Sequence, residues 1–305
     1  MPRTMRSTRV AVAGFAVAAL AAACSSSPST PAASSGPNIS IGSTNFSEQV
    51  IVANLYADVL KHAGAKVTLR TNLGTREAVE PALAAGQLDL YPDYAGTLLL
   101  FLNMNDTSAA TQTSTAVPAL KSLLGPKGAT VLNASSALDT DVFAVTHATA
   151  DRYHLTTLSS VQPVASQLIL GGPPECPQRP LCQEGLISTY GLHFKSFTSL
   201  DEAGPITVAA LKNNEVQIAE LFSSDGNIVQ NNFVQLTDDK HLQPADFLIP
   251  VIRKSVNTPA VATALNGLSA KLTTDELAQL NIKVSVNHED AATVAQQWLA
   301  QKHLV

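Results

Sequence analysis

Regular alternation of strand and helix patterns from Ile39 onward restricts this chain to an α/β fold. Asn45, followed by Glu48 three residues later, has the spacing of a helix capping box, and apolar residues at four-residue intervals continue the helix to Gly64. Runs with β-strand character precede and follow it, at Ile39–Ser43, Lys66–Arg70 and Leu88–Tyr91. Strands that alternate with helices predict a parallel sheet with right-handed crossovers.

The stretch from Gly86 to Thr97 is the first candidate site. It reads Gly-Gln-Leu-Asp-Leu-Tyr-Pro-Asp-Tyr-Ala-Gly-Thr, which predicts a helix end, a strand that stops before Pro92 and a new helix. Open α/β sheets bind ligands beyond the carboxyl ends of their strands, where helix N-termini offer free N–H groups, so a ligand site is expected here. The alternative is a strand end with buried tyrosines and no ligand role.

The same alternation continues through the second half of the chain, and the last segment is long enough to return to the first half. Two α/β units of roughly 100 residues each, with such a returning segment, predict a bilobal clamshell. The later strand patterns are Val142–Thr146, Leu168–Gly171, Glu215–Phe222, Phe233–Thr237 and Phe247–Arg253, and the last helices begin near Thr258, Thr274 and His288.

The N-terminal region predicts export and membrane anchoring. Three arginines form a basic start, and an apolar or small-residue run, Val10–Ala23, leads to Cys24. The run is shorter than the about 20 residues that span a bilayer, so 1–23 is interpreted as a lipoprotein signal peptide. Cys24 resembles the lipid-modified cysteine of a lipobox, although Leu20 lies one position further from it than is usual. The Ser/Pro/Ala-rich segment 24–37 is typical of a flexible tether. Secretion with an incidental cysteine is the alternative.

The two remaining cysteines favour a disulfide. Cys176 and Cys182 lie six residues apart in a proline-rich loop, and one even pair in an exported protein favours their pairing. Metal binding is the alternative and would need further ligands close by. The histidines on either side, His154 and His193, lack ligand spacing, so no metal site is expected.

Charge and motif content argue for a small-molecule binder. Removal of the signal peptide takes away three arginines and no acids, which changes the net charge from −5 to −8. An acidic chain without a basic stripe is not expected to bind nucleic acid. The nucleophile-elbow, phosphate-loop, zinc and dinucleotide motifs of common enzymes are absent, so no catalytic residue and no cofactor are expected.

Polar and aromatic residues at predicted strand ends are the candidate ligand contacts. A quaternary ammonium group is recognised by aromatic faces or carboxylates, and a carboxylate by Arg, Lys or a helix N-terminus. Phe46, which follows Asn45, either lines the ligand cleft expected at the strand ends or acts as a hydrophobic staple. The candidate set contains both kinds of group: Thr44, Asn45, Tyr94, Thr97, Asp141, Glu175, Arg179, Phe222, Asp225 and Asp246.

Four separated motifs resemble the substrate-binding proteins of ABC importers for glycine betaine, choline and related osmoprotectants, the ProX/OsmF-like group. The resemblance covers essentially the whole chain from Ile39, and its motifs are Ile41–Gln49, Asn72–Glu77, Gly86–Thr97 and Asp238–Asp246. It implies a type II periplasmic-binding-protein fold, in which two α/β lobes joined by two crossing segments close on a ligand. The implied first lobe is 38–139 plus 240–305, and the second is 140–239.

The resemblance assigns roles to part of the candidate set. Tyr94 matches a tyrosine of the ammonium-binding cage, and Thr97 matches a nearby hydroxyl contact. Glu175 and Arg179, four residues apart, match a glutamate and the arginine that holds the ligand carboxylate in betaine binders.

Other positions depart from the family pattern. Thr44 stands where many members have a lysine, Asp141 and Asp246 stand where cage tyrosines are usual, and Phe222 takes the place of a third tyrosine. Fewer contacts for a carboxylate and more acids would shift the site from a zwitterion toward a cation. Alternatively, Asp246 is a helix or turn cap, Asp141 faces solvent, and Arg179 braces the cysteine loop.

The resemblance implies a monomeric, lipid-anchored, extracytoplasmic substrate-binding protein on the outer face of the cell membrane. Its partners would be a quaternary-ammonium solute such as glycine betaine, choline or proline betaine, an ABC permease and its ATPase subunit. One alternative is a receptor of the same fold for another small polar or cationic solute. From another class, the alternative is an exported hydrolase, because fold alone does not fix function. An osmolyte-sensing regulatory domain would need a fused partner domain.

Overall fold

The computed structural model describes residues 36–103, 113–244 and 246–305. The predicted signal peptide, Cys24 and nearly all of the tether lie outside the described residues. Among the helices within these ranges, none combines the length and the apolar character needed to cross a membrane.

The first of two five-stranded sheets is built from both ends of the described chain. Its strands are β1 (Asn38–Gly42), β2 (Lys66–Arg70), β3 (Leu90–Tyr94), β4 (Ala129–Val131) and β10 (Leu248–Arg253), in the order β2-β1-β3-β10-β4. β2 and β3 pair parallel with β1, as predicted. β10, which lies outside that strand-helix alternation, runs antiparallel to β3 and β4.

The second sheet contains the five intervening strands. They are β5 (Asp141–Thr146), β6 (Ile169–Gly172), β7 (Ser196–Ser199), β8 (Ile218–Phe222) and β9 (Phe233–Gln235), in the order β7-β6-β8-β5-β9. β6 pairs parallel with β7 and β8, whereas β5 runs antiparallel to β8 and β9. Both β5 and β10 arrive directly from the other sheet, so no crossover helix sets their direction to parallel.

The chain passes between the sheets twice, through 132–140 and 236–247. These crossing segments contact each other, since the Asp139 N–H donates to the Asp246 carbonyl oxygen at 3.0 Å. Because the two crossing segments join the sheets at their strand ends, residues from both sheets lie around one cavity.

Within the described ranges the chain forms twelve α-helices. α1 packs with α10 and α12 in the core over the first sheet, where Trp298 is buried. The helices predicted near Thr258, Thr274 and His288 are α10, α11 and α12. The bounds are α1 Ser47–His62, α2 Arg76–Ala84, α3 Ala95–Leu102, α4 Thr113–Leu124, α5 His147–Tyr153, α6 Leu158–Val161, α7 Gln183–Tyr190, α8 Pro205–Lys212, α9 Gly226–Gln230, α10 Pro259–Ser269, α11 Thr274–Asn281 and α12 Ala291–Gln301.

The capping box predicted from Asn45 and Glu48 is wrong. α1 begins at Ser47 with Phe46 at the N-cap position, and no side chain caps it. Asn45 is exposed, while the Glu48 carboxylate is buried and accepts hydrogen bonds from side chains far along the chain. The predicted capping box would have paired this carboxylate with a nearby backbone N–H group, and the distant side-chain donors take its place.

The predicted stop of the third strand before Pro92 is also wrong, because β3 continues through Pro92 and Asp93 to Tyr94. Pro92 lies opposite Pro250 of β10. Every second residue pair of an antiparallel ladder exchanges no hydrogen bonds, so two facing prolines at such a position remove none between β3 and β10. The longer strand carries Asp93 and Tyr94 to the wall of the cavity described next.

Candidate ligand-binding site

A cavity of about 440 Å³ lies at the strand ends of both sheets, a size typical of small-molecule sites. Tyr94 ends β3 of the first sheet, while Asp141 and Phe222 face each other across β5 and β8 of the second. Seven of the ten candidate contacts line this cavity: Thr44, Tyr94, Thr97, Asp141, Arg179, Phe222 and Asp246.

The other predicted residues lie elsewhere. Asn45 lines a smaller pocket that shares Phe46 and Phe222 with the cavity, and Asp225 lines the same pocket and caps α9 through the Asn227 N–H. Glu175 does not line the cavity and instead forms an ion pair with Arg179.

Three aromatic rings form a stack in the cavity wall. The Phe46 ring centroid lies 4.7 Å from that of Phe222 and 6.4 Å from that of Tyr94, with interplanar angles of 27° and 20°. Phe46 is one of the residues that line the cavity, which agrees with the interpretation that it lines the ligand cleft. The rings supply the aromatic surface that a quaternary ammonium group requires.

Sequence reasoning missed Arg76, the first residue of α2. Its guanidinium makes a bidentate ion pair with Asp93, with Nη2 2.6 Å from Oδ1 and Nε 3.0 Å from both carboxylate oxygens. Nη2 also donates to Thr97 Oγ1 at 2.7 Å. The side chains of Arg76 and Asp93 are only 14% and 5% exposed. An arginine in the first turn of a helix is typical of a solvated position, so no local pattern indicated this pair.

Arg179 is surrounded by three carboxylates. Its Nη2 lies 3.0 Å from Glu175 Oε1 and 3.2 Å from Glu77 Oε2, and its Nη1 lies 3.8 Å from Glu202 Oε1. Glu77 is on α2, beside the first sheet, whereas Arg179 lies in the loop after β6 of the second. This ion pair therefore joins the two halves of the cavity, and a ligand carboxylate would have to compete with it.

Acidic side chains outnumber basic ones in the cavity wall. Burial raises the pKa of Glu202 and of Asp246 to about 7, in spite of Arg179 and Arg76 nearby. Burial also raises the pKa of Asp141 against the attraction of both arginines. Two arginines are set against six carboxyl groups: Glu77, Asp93, Asp139, Asp141, Glu202 and Asp246.

Asp246 caps α3 as well as lining the cavity, in agreement with the alternative of a helix cap. Its Oδ1 accepts from the Gly96 N–H at 2.6 Å and from the Thr97 N–H at 2.9 Å. A Cβ at position 96 would lie 2.8 Å from this oxygen, so the close approach requires glycine. Asp246 is thus held in place by backbone donors while remaining 2% exposed.

Four buried polar side-chain atoms of residues that line the cavity have no hydrogen-bond partner among the described residues. They are Thr44 Oγ1, Gln49 Oε1, Gln49 Nε2 and Glu202 Oε2. Buried polar atoms in proteins are normally paired, and an unpaired one is destabilising. A polar group of a ligand would relieve this cost by pairing with them.

The predicted disulfide between Cys176 and Cys182 is confirmed. It closes the loop that carries Arg179 and other residues of the cavity wall. Glu220 Oε2 lies 3.1 Å from Cys182 Sγ. Because both sulfur atoms are consumed in the disulfide, the metal-site alternative loses its thiolate ligands.

Replacing both cysteines, Cys176→Ser with Cys182→Ser, is expected to lower the unfolding free energy by about 2 kcal/mol. The short loop no longer restricts the unfolded chain, and the chain-entropy relation gives this magnitude for a loop of such length. Urea unfolding of both proteins measures the change. A reducing agent should reproduce the loss in the wild type and leave the double variant unaffected. Equal unfolding midpoints of the two oxidised proteins would contradict the prediction.

Two α/β sheets linked by two chain crossings, with a polar and aromatic cavity at their strand ends, define a bilobal solute-binding protein. The OpuAC family, described as the substrate binding domain of ABC-type glycine betaine transport systems, matches residues 37–301, and the chain belongs to this family. The predicted family and the predicted type II periplasmic-binding-protein fold are thereby confirmed. It is a family of transport substrate-binding proteins and not of enzymes.

Two curated relatives are similar over most of their length. The chain is 27% identical over 275 residues to the glycine betaine-binding protein YehZ of Escherichia coli (strain K12), which covers 87% of this chain and 90% of that protein. It is 28% identical over 280 residues to the carnitine transport binding protein OpuCC of Listeria monocytogenes serotype 1/2a (strain 10403S), with 88% of each chain covered.

Solved structures show the same architecture. A crystal structure of a glycine betaine/carnitine/choline ABC transporter has a TM-score of 0.67 and 25% identity, covering 88% of this chain and 99% of that chain. Lactococcal OpuAC, in its closed-liganded conformation complexed with glycine betaine, has a TM-score of 0.61 at 16% identity and covers 88% and 98%. At that identity the second comparison supports the fold alone.

Proposed function

We propose that this protein captures a quaternary-ammonium osmoprotectant outside the cytoplasm and delivers it to an ABC permease and its ATPase. The observation that carries the proposal is the meeting of a three-ring aromatic stack with six carboxyl groups in one cavity. Each ring face offered to a cation contributes about 0.5–2 kcal/mol, and buried carboxylates favour a cationic partner. The names of the relatives, which bind glycine betaine or carnitine, support the same ligand class.

Within this class the charge balance favours a cation over a zwitterion. Arg76 is already paired with Asp93, and Arg179 is already paired with Glu77 and Glu175. A ligand carboxylate would have to displace one of these buried partners, while a trimethylammonium group would stabilise the ionised form of the surplus carboxyl groups. Choline is therefore the preferred ligand. The zwitterion glycine betaine, or another small polar cation, is the second candidate.

The lobe boundaries 38–139 plus 240–305 and 140–239 are part of the proposal, as is closure of the lobes on the ligand. All strands of the first sheet fall in the first set of ranges, and all strands of the second sheet fall in the other. Anchoring through a lipid on Cys24 is also proposed, and the sequence pattern before Cys24 supports it. We expect the protein to act as a monomer.

Calorimetric titration with choline, glycine betaine and carnitine in parallel tests the ligand. We expect choline to bind more tightly than glycine betaine, and Asp141→Asn to weaken choline binding by about tenfold through loss of one partly desolvated charge. Asp246→Asn should act in the same direction. Asp58→Asn is the matched control, because Asp58 lies on α1 and pairs with the surface residue Lys61.

Unchanged choline affinity in both Asp141→Asn and Asp246→Asn would contradict the proposal that these acids make the site selective for cations. Tight binding of glycine betaine with no binding of choline would show that a ligand carboxylate can displace the carboxylates that pair with Arg76 or Arg179. If none of the three solutes binds, the quaternary-ammonium proposal fails and a receptor for another solute replaces it.

A further inference from the structure

A buried carboxylate just behind the cavity connects the two halves of the molecule. Glu48 is 3% exposed and accepts hydrogen bonds from three neutral donors. The Tyr94 hydroxyl donates to Oε1, while Ser224 Oγ and Asn281 Nδ2 donate to Oε2 at 2.7 and 2.5 Å. The donors come from the end of β3, the turn after β8 and the last residue of α11.

Ser224 is held from two directions at this point. Its Oγ donates to Glu48, and its backbone N–H donates to Asp139 Oδ1 at 2.9 Å. Asn281 Nδ2 lies 2.9 Å from the same Oγ. Ser224 belongs to the half that contains the second sheet, while α1 and α11 pack with the first. The network is therefore a contact between the two halves.

The Glu48 carboxylate also contacts Tyr94, one of the aromatic residues of the ligand cavity. Tyr94 lines the cavity, and its hydroxyl donates a hydrogen bond to Glu48. Hydrogen bonds in a buried network strengthen one another, and a buried polar group that loses its partner is destabilising. Ring orientation at the site and seating of the turn at Ser224 thus depend on one side chain.

We propose that Glu48 is a positioning residue that couples the Tyr94 ring of the ligand site to the contact between the two halves at Ser224. The inference rests on the proposed function, because it assigns Glu48 a role at the same ligand site. Glu48 acts through Tyr94 and Ser224 and has no contact with the ligand itself. Loss of this carboxylate loosens the ring and the turn together.

The first test substitutes Glu48→Gln, which keeps the size of the side chain but leaves one acceptor oxygen where there were two. We expect the affinity for choline to fall about tenfold or more. We also expect faster amide hydrogen exchange in segment 222–226, because Ser224 loses its anchor. The matched control is Glu80→Gln, a carboxylate 4% exposed on α2 that pairs with Lys127 at 2.9 Å and does not line the cavity.

A double-mutant cycle separates coupling from general loosening. Tyr94→Phe deletes the hydroxyl and keeps the ring, so its effect on choline affinity should not add to that of Glu48→Gln. Ser224→Ala should weaken choline binding although Ser224 does not line the cavity. If Glu48→Gln fails to fold, Tyr94→Phe and Ser224→Ala carry the affinity and exchange measurements.

Three outcomes overturn the inference: additive effects in the cycle, unchanged exchange at 222–226 in Glu48→Gln, or equal changes in Glu80→Gln. Failure of the proposed function looks different. In that case the wild type binds none of the tested solutes, whereas hydrogen exchange still reports whether Glu48 holds the turn.

Discussion

The Arg76→Met variant is expected to lose about 3–5 kcal/mol of unfolding free energy, because removing one member of a buried ion pair leaves the other charge uncompensated. Asp93, whose side chain is 5% exposed, would lose its ion-pair partner, with the Asp246 carboxyl group also close to the vacated guanidinium position. Methionine retains most of the length of the arginine stem, so little of the loss comes from packing. Equilibrium urea unfolding measures the difference.

A less buried ion pair beside the first sheet provides the matched control. Arg253 and Asp89 lie 3.4 Å apart with side chains 35% and 18% exposed, so Arg253→Met should lose at most about 1 kcal/mol. Adding Asp93→Asn to Arg76→Met should recover part of the stability, because no unpaired charge then remains. Equal losses in the two arginine variants, or no recovery in the double variant, would show that charge burial is not the cause.

Sequence patterns were sufficient for elements formed by contiguous residues. The strand predicted at Lys66–Arg70 is β2 with the same bounds, and its parallel pairing with β1 follows from the single helix between them. The directions of β5 and β10 could not be predicted in this way. They depend on where each crossing segment enters the other sheet, which is a property of the whole chain path and not of any local window.

In the candidate site too, residues recognised by a local motif were predicted, and residues that depend on distant partners were not. Tyr94 and Thr97 were predicted because their motif marks the end of a strand, where α/β folds place ligands. Arg76 was missed because its partner Asp93 lies 17 residues further on, in another element. Glu48 was misassigned for a similar reason, since its donors lie 46 to 233 residues away. Tertiary partners, and not spacing, decide what a polar side chain does.

The unfolding free energy is expected to decrease as the pH rises from about 5 to about 8. Burial raises the pKa of Asp246 from 3.8 to about 7 and that of Glu202 from 4.5 to about 7. Between the ordinary and the raised values the folded protein binds more protons than the unfolded chain, so unfolding releases protons and higher pH favours it. Each group should contribute a decrease of about 2–3 kcal/mol over this interval, measured by urea unfolding across a pH series.

Carboxylates with a lowered pKa cannot produce this slope. Asp290, whose side chain accepts hydrogen bonds from Thr293, has its pKa lowered below 3.8 and stays ionised throughout the interval, so Asp290→Asn should leave the slope unchanged. Asp246→Asn should flatten it, since an amide oxygen can still accept the N–H groups of α3 but does not titrate. Saturating choline should flatten it as well, because a bound cation favours the ionised carboxylates. An unchanged slope in both Asp246→Asn and Glu202→Gln would show that these two carboxyl groups do not produce the pH dependence. It would also contradict their part in the argument that buried acid selects a cationic ligand.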